Sequence, residues 1–450
     1  MTSASTEVLQ IDSDRGITRF HVRLLLLTSV LTLLDGYDIT ALSFVAPELA
    51  KAWQIPDKSA FSSVFVASLA GMLVGAPSVG WIGDRFGRKP AIILSCTLFG
   101  VCTLAMMLVE SIGQLGALRF LTGIGLGGLL PNASALNAEY APSRYRATMI
   151  ILMYIGTALG GALPGPLTVA LVPDYGWRVL FLIGGVLPLA ASFSCWLWLP
   201  ESAKYLDISK SAKGRMGELS GRSPGNAPKD GLRGAAASVS SLFKDGLKWV
   251  TPLLWLLFVS SLMGYFFLMS WTPILLVAAK VSDANAALAL SSFQIGGIVG
   301  GVCIARPTDR WGLSPLNLFF GGAVLTTGTI GYAAVSGSSA LLMPVALLAG
   351  FFVLGAQLGL NAVATMIYPT AIRANGAGWA LGIGRLGAIL GPILGGLLIA
   401  RNYSVETVYI VAACPFAIAT LSAVMLAIIA RRRFAGRLLT DRESPSAKAL

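Results

Sequence analysis

The feature that most constrains this chain is a series of apolar stretches, each long enough to cross a lipid bilayer as a helix. A transmembrane helix needs about 20 largely apolar residues. Backbone groups in lipid must be hydrogen-bonded within the protein, which favours helices, and the sequence lacks the period-two alternation of a membrane barrel. We predict twelve spans in an all-α membrane protein, at residues 21–47, 60–83, 90–109, 113–139, 146–171, 178–199, 250–276, 285–305, 315–336, 340–367, 374–400 and 405–430.

The composition excludes two other classes of protein. Hydrophobic residues make up 55% of the chain and charged residues only 12%, whereas a soluble domain carries about 25% charged residues. A soluble globular domain and a disordered chain are therefore both excluded. The 51 glycines follow no collagen repeat and predict closely packed transmembrane helices.

The positions of Lys and Arg predict the orientation. If the N-terminus is cytoplasmic, 26 of the 33 basic residues fall on the cytoplasmic side and five on the outer side, with two inside spans. This asymmetry follows the positive-inside rule. We therefore expect a multi-pass protein of a bacterial inner membrane, with both termini cytoplasmic and no cleavable signal peptide. The net charge of +12 is then explained without a nucleic-acid partner.

The only long hydrophilic stretch divides the spans into two groups of six. We predict an N-terminal tail (1–20), a first six-helix bundle (21–199), a cytoplasmic linker (200–249), a second six-helix bundle (250–430) and a C-terminal tail (431–450). Parallel repeats of this kind are typical of transporters. Matching residues recur at offsets of 225 or 227, namely Asp84 and Asp309, Arg146 and Arg373, and Gly160 and Gly387.

Cysteine and histidine give no sign of a cofactor. The five cysteines are scattered through apolar runs, and His21 is the single histidine. We predict no disulfide framework, no metal site and no cofactor other than a coupling proton. A membrane enzyme is disfavoured because the sequence has no nucleophile elbow, Walker loop or His cluster. A chemoreceptor would need an output domain, for which the linker is the only candidate.

A glycine-rich charged motif, GWIGDRFGRK, stands between the second and third predicted spans. It resembles the cytoplasmic loop signature of the major facilitator superfamily, which implies the fold of two six-helix pseudo-repeats and a gating role for the loop. Asp84 can pair with a basic residue or a helix end across the halves, although an ordinary turn with a topology signal is the alternative. The second copy, around Asp309, is degraded. The implied gating residues are Gly80, Asp84, Arg85, Gly87, Arg88, Asp309 and Arg310.

The sequence LLDGYD in the first span and GIGRLGAILGP in the eleventh are similar to the aromatic acid:proton symporter family. Further matches are RFLTGIGLG from Arg119, AEY around Glu139, and FQIGG from Phe293. The resemblance covers all twelve spans and is weak in the linker and tails. It implies uptake of benzoate-like or hydroxybenzoate-like acids with protons. Transport of a non-aromatic organic acid, a sugar or a drug is the alternative.

Charged residues inside the membrane are costly and predict function. Asp35 and Asp38 lie on one face of the first span, and two carboxylates so close in a dry site are not both expected to stay ionised. This arrangement suits proton coupling, and the alternative is that an aspartate only fixes the kink at Gly36. Arg119 is expected to pair with one of them, either to modulate proton affinity or as a fixed ion pair. Glu139 is predicted either to take part in coupling or to pair with basic residues at the end of its helix.

A substrate carboxylate needs a cation, and the guanidinium of Arg385 offers a matching planar fork. A pair with an aspartate of the opposite half is the alternative for Arg385. The ring needs apolar walls and a few polar groups, although single aromatics in membrane helices also pack or face lipid. The candidates are Tyr37, Phe266, Trp271, Trp379, Gln294, Gln357 and Asn361. We expect a monomer, because the two halves already supply a complete pathway.

Overall fold

The structure is a computed structural model that describes residues 17–142, 145–202, 205, 242–243, 247–368 and 373–434. These ranges are nearly all helical. The helices are α1 (Arg19–Ala52), α2 (Phe61–Phe86), α3 (Arg88–Ala105), α4 (Ile112–Tyr140), α5 (Arg146–Ala162), α6 (Pro164–Tyr175), α7 (Arg178–Trp198), α8 (Val250–Ala278), α9 (Asp283–Trp311), α10 (Ser314–Val335), α11 (Ser339–Ile367), α12 (Arg373–Ala400) and α13 (Val405–Phe434).

Each predicted span coincides with helix, and the fifth is divided into α5 and α6. The division falls at Pro164, which has no N–H to donate to the carbonyl of Gly160 one turn earlier. The N–H of Leu163 donates to that oxygen instead, at 3.2 Å, which tightens the helix locally. The fifth span is therefore two helical segments rather than one regular helix.

Eleven helical segments of the described chain are long and apolar enough to cross a membrane. The predicted fourth span, α4, is not among them, although its 29 residues would extend for about 44 Å. Glycines, asparagines and Arg119 lower its hydropathy. Arg119 and both asparagines of α4 are buried, so α4 is a helix shielded by protein more than by lipid.

Close packing separates the described chain into two compact units. Unit 1 consists of the described residues within Met1–Ala41, Ala67–Pro164 and Leu171–Pro228, and unit 2 consists of those within Leu42–Val66, Gly165–Ala170 and Lys229–Leu450. The division of the sequence at a linker stays a prediction, because most of 200–249 lies outside the described residues.

The core of unit 1 is built mainly by α1, α3, α4 and α7. Helix α3 packs along both α4 and α7. Fully buried side chains at this junction include Leu34 of α1, Phe99 of α3 and Leu126 of α4. In a bilayer such side chains contribute mainly through van der Waals packing, because lipid tails are as apolar as they are. This packing fixes how α1 is rotated and hence where its aspartates point.

Unit 2 contains the helices after the linker and also the end of α1 and the start of α2. Lys51 of α1 forms ion pairs with Glu48 at 3.0 Å and with Asp283 of α9 at 2.7 Å. Before α2, Asp57 caps a short 3-10 helix, and hydrogen bonds from the side chain and backbone N–H of Ser59 lower the pKa of Asp57. These contacts attach the α1–α2 connection to unit 2.

The recurring glycines Gly160 and Gly387 occupy equivalent positions in the two units. A Cβ atom at Gly160 of α5 would collide with the carbonyl of Leu33 on α1, and one at Gly387 of α12 would collide with the carbonyl of Val259 on α8. Leu33 and Val259 are themselves 226 residues apart. Both units therefore contain the same close helix crossing, which supports the repeat inferred from the sequence.

Candidate functional site

A buried ion pair in unit 1 joins α1 to α4. Nη1 of Arg119 donates to Oδ2 of Asp38 at 2.9 Å, and Nη2 donates to the backbone oxygen of Asp38 at 3.1 Å. The hydroxyl of Thr103 on α3 donates to the other carboxylate oxygen, Oδ1, at 3.0 Å. Both charged side chains are at most 2% exposed. The predicted pairing of Arg119 with an aspartate of the first span is confirmed, and the partner is Asp38.

This arrangement gives each of the two buried charges a partner. A buried carboxylate is tolerated only when it is paired and hydrogen-bonded, and Asp38 uses both of its oxygens in this way. Nε of Arg119 is buried and has no hydrogen-bond partner among the described residues. The Nε–H group is thus a donor of the guanidinium beyond the two that hold Asp38.

Asp35 lies one turn before Asp38 and is fully buried. Its carboxyl group is within electrostatic range of the thiol of Cys96 on α3. The backbone of Gly36, between the two aspartates, packs directly against Thr157 of α5. Asp35 and Asp38 are therefore both held inside unit 1, and their coupling roles stay predictions.

Tyr37 points from α1 towards α7. Its hydroxyl donates to the backbone oxygen of Leu180 at 2.9 Å, and its ring packs on Gly184. The side chain is only 3% exposed. Tyr37 thus packs inside unit 1. Its contact with a substrate ring stays a prediction.

Glu139 is half-buried at the end of α4. Its Oε2 accepts a hydrogen bond from the hydroxyl of Ser202 at 2.6 Å. The neighbouring Tyr140 donates from its hydroxyl to the backbone oxygen of Glu201, also at 2.6 Å. The contact of Glu139 with basic residues cannot be placed, because Arg144 and the side chain of Arg146 lie outside the described residues.

The charged motif forms a compact corner where α2 meets α3. Helix α2 continues to Phe86, so Gly80, Asp84 and Arg85 are helical and only Gly87 separates the helices. The expectation that Asp84 and Arg85 lie beyond the second span is wrong, because the helical hydrogen bonding extends one turn further than the predicted apolar stretch. A Cβ at Gly80 would meet open space.

Hydrogen bonds of Arg88 and Glu201 hold this corner together. Its guanidinium donates to Asp84 one turn earlier and to the side-chain oxygen of Asn132 on α4, the latter at 2.9 Å. The carboxylate of Glu201 accepts from the backbone N–H of Lys89 at 3.2 Å, at the start of α3. Asp84 thus pairs with Arg88 of the same motif. A pair between Asp84 and a group of the other half stays a prediction.

The arginines that follow each copy of the motif's aspartate lie over aromatic rings. Arg85 is 5.2 Å from the centre of the Trp81 ring, and Arg310 is 5.7 Å from that of Trp311. The second copy also ends at a glycine with positive φ, Gly312 at 60°. The side chain of Asp309 lies outside the described residues, so its gating role stays a prediction.

In unit 2, Gln294 is a buried polar group, and the residue before it, Phe293, belongs to a cluster of aromatic rings. Its side chain is 2% exposed, and Oε1 has no hydrogen-bond partner among the described residues. Phe293 stacks on Tyr265 at 6.5 Å, and Tyr265 contacts the edge of Phe266 at 5.1 Å. The predicted role of Gln294 and Phe266 in substrate binding stays a prediction.

The other candidates in unit 2 differ widely in their surroundings. Gln357 is 9% exposed and accepts from the hydroxyl of Ser261 at 2.6 Å. Trp271 is fully buried and donates to the backbone oxygen of Pro392 at 3.0 Å. Arg385 is half-buried, whereas Asn361 and Trp379 are exposed. The candidates therefore differ in burial and in their contacts, and their shared role in substrate binding stays a prediction.

Three residues of these networks were missed from the sequence. Thr103 holds Asp38, Asn132 holds Arg88, and Glu201 caps α3. Asn132 had a usable signal, because an amide inside an apolar helix needs a partner. Thr103 had none, since threonines are common in membrane helices and bond to their own backbone.

The fold and these buried charges define a multi-pass membrane transporter, and comparisons with known proteins agree. The profile of the Major Facilitator Superfamily matches residues 28–387 and 280–449. The 4-hydroxybenzoate transporter PcaK of Pseudomonas putida is 34% identical, over 94% of this chain and 96% of its own. The gallate transporter of Pseudomonas putida is 33% identical, over 91% and 92%. The chain belongs to the major facilitator superfamily, within its aromatic acid transporter family.

Solved structures support the fold alone. A bacterial homologue of the lysosomal transporter Spinster has a TM-score of 0.68 at 18% identity, covering 94% of this chain and 99% of its own. A D-xylose-proton symporter has a TM-score of 0.67 at 19% identity, covering 89% and 96%. The family and its members are transporters rather than enzymes.

Proposed function

We propose that this protein imports an aromatic carboxylate by proton symport, through alternating access, across a bacterial inner membrane. The relatives named above as carriers of 4-hydroxybenzoate and gallate support the substrate class. The observation that carries the coupling proposal is the buried ion pair of Asp38 and Arg119, one turn from the buried Asp35. No cofactor other than the proton is required.

Proton coupling would operate through the network of α1, α3 and α4. Protonation of Asp38 would remove the charge that holds Arg119, and the guanidinium would then need another anion. Asp35, one helical turn away, would pass the proton to or from this pair. Loss of the proton on the inner side would restore the ion pair and favour release of the substrate.

Substrate recognition would use the polar groups of unit 2. Arg385 would bind the carboxylate, because a guanidinium offers two parallel donors to it. The unsatisfied Oε1 of Gln294 would accept a hydrogen bond from a ring hydroxyl, close to Phe293 and Tyr265. Such a site would favour hydroxylated over unsubstituted benzoates.

The test is uptake of labelled 4-hydroxybenzoate into proteoliposomes, with and without an inward proton gradient. Wild-type uptake should depend on the gradient and be blocked by unlabelled ring acids. Asp35→Asn should abolish gradient-driven uptake, whereas Asp57→Asn, at an exposed cap on the α1–α2 connection, should not. Uptake by wild type that ignores the gradient, or unchanged coupling in Asp35→Asn, would contradict the proposal.

The role of Gln294 can be tested in the same assay. Gln294→Leu removes the acceptor and should weaken competition by 4-hydroxybenzoate about tenfold, because a buried ligand hydroxyl would lose its partner. Competition by benzoate, which has no ring hydroxyl, should change little. Equal losses for both acids would argue against a contact between Gln294 and the hydroxyl.

A further inference from the structure

A long apolar groove runs between α1 and α7 on unit 1, away from the buried ion pair. Its volume is about 760 Å³, and its walls are formed mostly by aliphatic side chains. Leu26 and Val30 of α1 and Leu187 of α7 line it and are 61%, 47% and 47% exposed. The small residue Ala190 leaves room between the two helices.

One end of the groove is strongly basic. Arg19 and Arg23 both line it there, and the described residues that line it include no acidic side chain. Arg23 donates one hydrogen bond to the backbone oxygen of Trp198 at 3.2 Å and lies 5.8 Å from the centre of the Trp198 ring. Because a guanidinium has five donors, this contact orients Arg23 and leaves donors for an anion.

The dimensions of the groove fit one leaflet of a bilayer. Arg23 and Leu34, near its two ends, are separated by about 16 Å of helix, which is about half the thickness of the hydrocarbon core. A ligand that fills it must carry an anionic head and an apolar chain of that length. Basic pockets between transmembrane helices have this character where they bind acidic lipids.

We propose that the α1–α7 groove is a binding site for an anionic phospholipid. Arg19 and Arg23 bind the phosphate, and one acyl chain lies along Leu26, Val30 and Leu187. The lipid comes from the leaflet that borders the start of α1, which is the inner leaflet under the proposed topology. The site does not depend on the transport activity.

The test is native mass spectrometry of the full-length protein titrated with phosphatidylglycerol, phosphatidylethanolamine or phosphatidylcholine. Wild type should retain phosphatidylglycerol preferentially. Arg19→Ala with Arg23→Ala should weaken this binding about 25-fold, at about fivefold for each basic residue near the lipid surface. Ala190→Phe should also weaken it, because the ring fills the groove and leaves both arginines in place.

Arg178→Ala is the matched control. Arg178 also lies over a tryptophan, Trp177, and donates to a backbone oxygen, that of Met107, but it stands at the opposite end of α7. This variant should bind phosphatidylglycerol like wild type. Equal retention of all three lipids by wild type, or full retention of phosphatidylglycerol by both groove variants, would overturn the proposal. The groove would then be occupied by bulk lipid or by the chain's own N-terminal segment.

Discussion

Asp38 and Arg119 form an ion pair in which both side chains are buried, so each charge needs the other for compensation. Removing either charge leaves the other buried without compensation, which costs about 3–5 kcal/mol. Asp38→Asn and Arg119→Gln should each lower the unfolding temperature of the purified protein. The double variant should be more stable than the sum of the single effects predicts. Additive losses in this double-mutant cycle would show that the two charges are not coupled.

Gly87 is the residue that the backbone requires between α2 and α3. Its φ of 107° and ψ of 155° lie in a region essentially restricted to glycine, and a Cβ there would also collide with the carboxylate of Glu201. Gly87→Ala should therefore destabilise the protein by roughly 1–3 kcal/mol or more. Thermal unfolding in detergent measures this effect.

The control for Gly87 is Gly80, from the same motif. Gly80 is helical, and a Cβ there would meet nothing within 4 Å. Because alanine is the better helix former by about 0.5–1 kcal/mol, Gly80→Ala should be neutral or stabilising. If both variants changed the stability equally, the positive φ would not explain why the motif has a glycine at position 87.

Single residues were predictable from the sequence where they contrast with their surroundings. Asp38 and Arg119 stand out because charges are rare in apolar spans, and their pairing follows from the need to compensate buried charge. The hydrogen bond from Thr103 was not predictable, since it depends on how α3 is rotated against α1. The same limit applies to Tyr37, whose packing against α7 is decided by tertiary contacts.

Among the elements, the paired helix crossings of α1 with α5 and of α8 with α12 depend on glycine. Gly160→Ala and Gly387→Ala should each force two helices apart, since the new methyl group meets a backbone carbonyl that cannot rotate away. We expect losses of about 1–3 kcal/mol in thermal unfolding, as for other overpacked contacts. Gly382→Ala on α12 is the control, because a Cβ there meets open space. A loss as large at Gly382 would show that the close crossings do not explain the effect, because alanine is the better helix former and a Cβ at Gly382 meets open space.

Element boundaries were predicted well where an apolar stretch ends in charge or turn residues. They were missed where helical hydrogen bonding continues beyond the apolar stretch, as in the turn of α2 that contains Asp84. The break between α5 and α6 follows from Pro164, whose missing N–H is visible in the sequence. The fourth span was predicted despite the low hydropathy of α4, and its buried Arg119, Asn132 and Asn137 form hydrogen bonds with side chains of α1 and α3.

For the whole molecule, the distribution of basic residues predicts which ends of the helices face the cytoplasm. Lys58 precedes α2 and Lys248 precedes α8, and the predicted topology places them on opposite sides of the membrane. In a background whose five cysteines are replaced by alanine, Lys58→Cys should react with a membrane-impermeant maleimide in intact spheroplasts. Lys248→Cys should react only after the membrane is opened. Because the helices alternate in direction, the opposite pattern at these two positions would invert the whole topology, including the leaflet assigned to the α1–α7 groove.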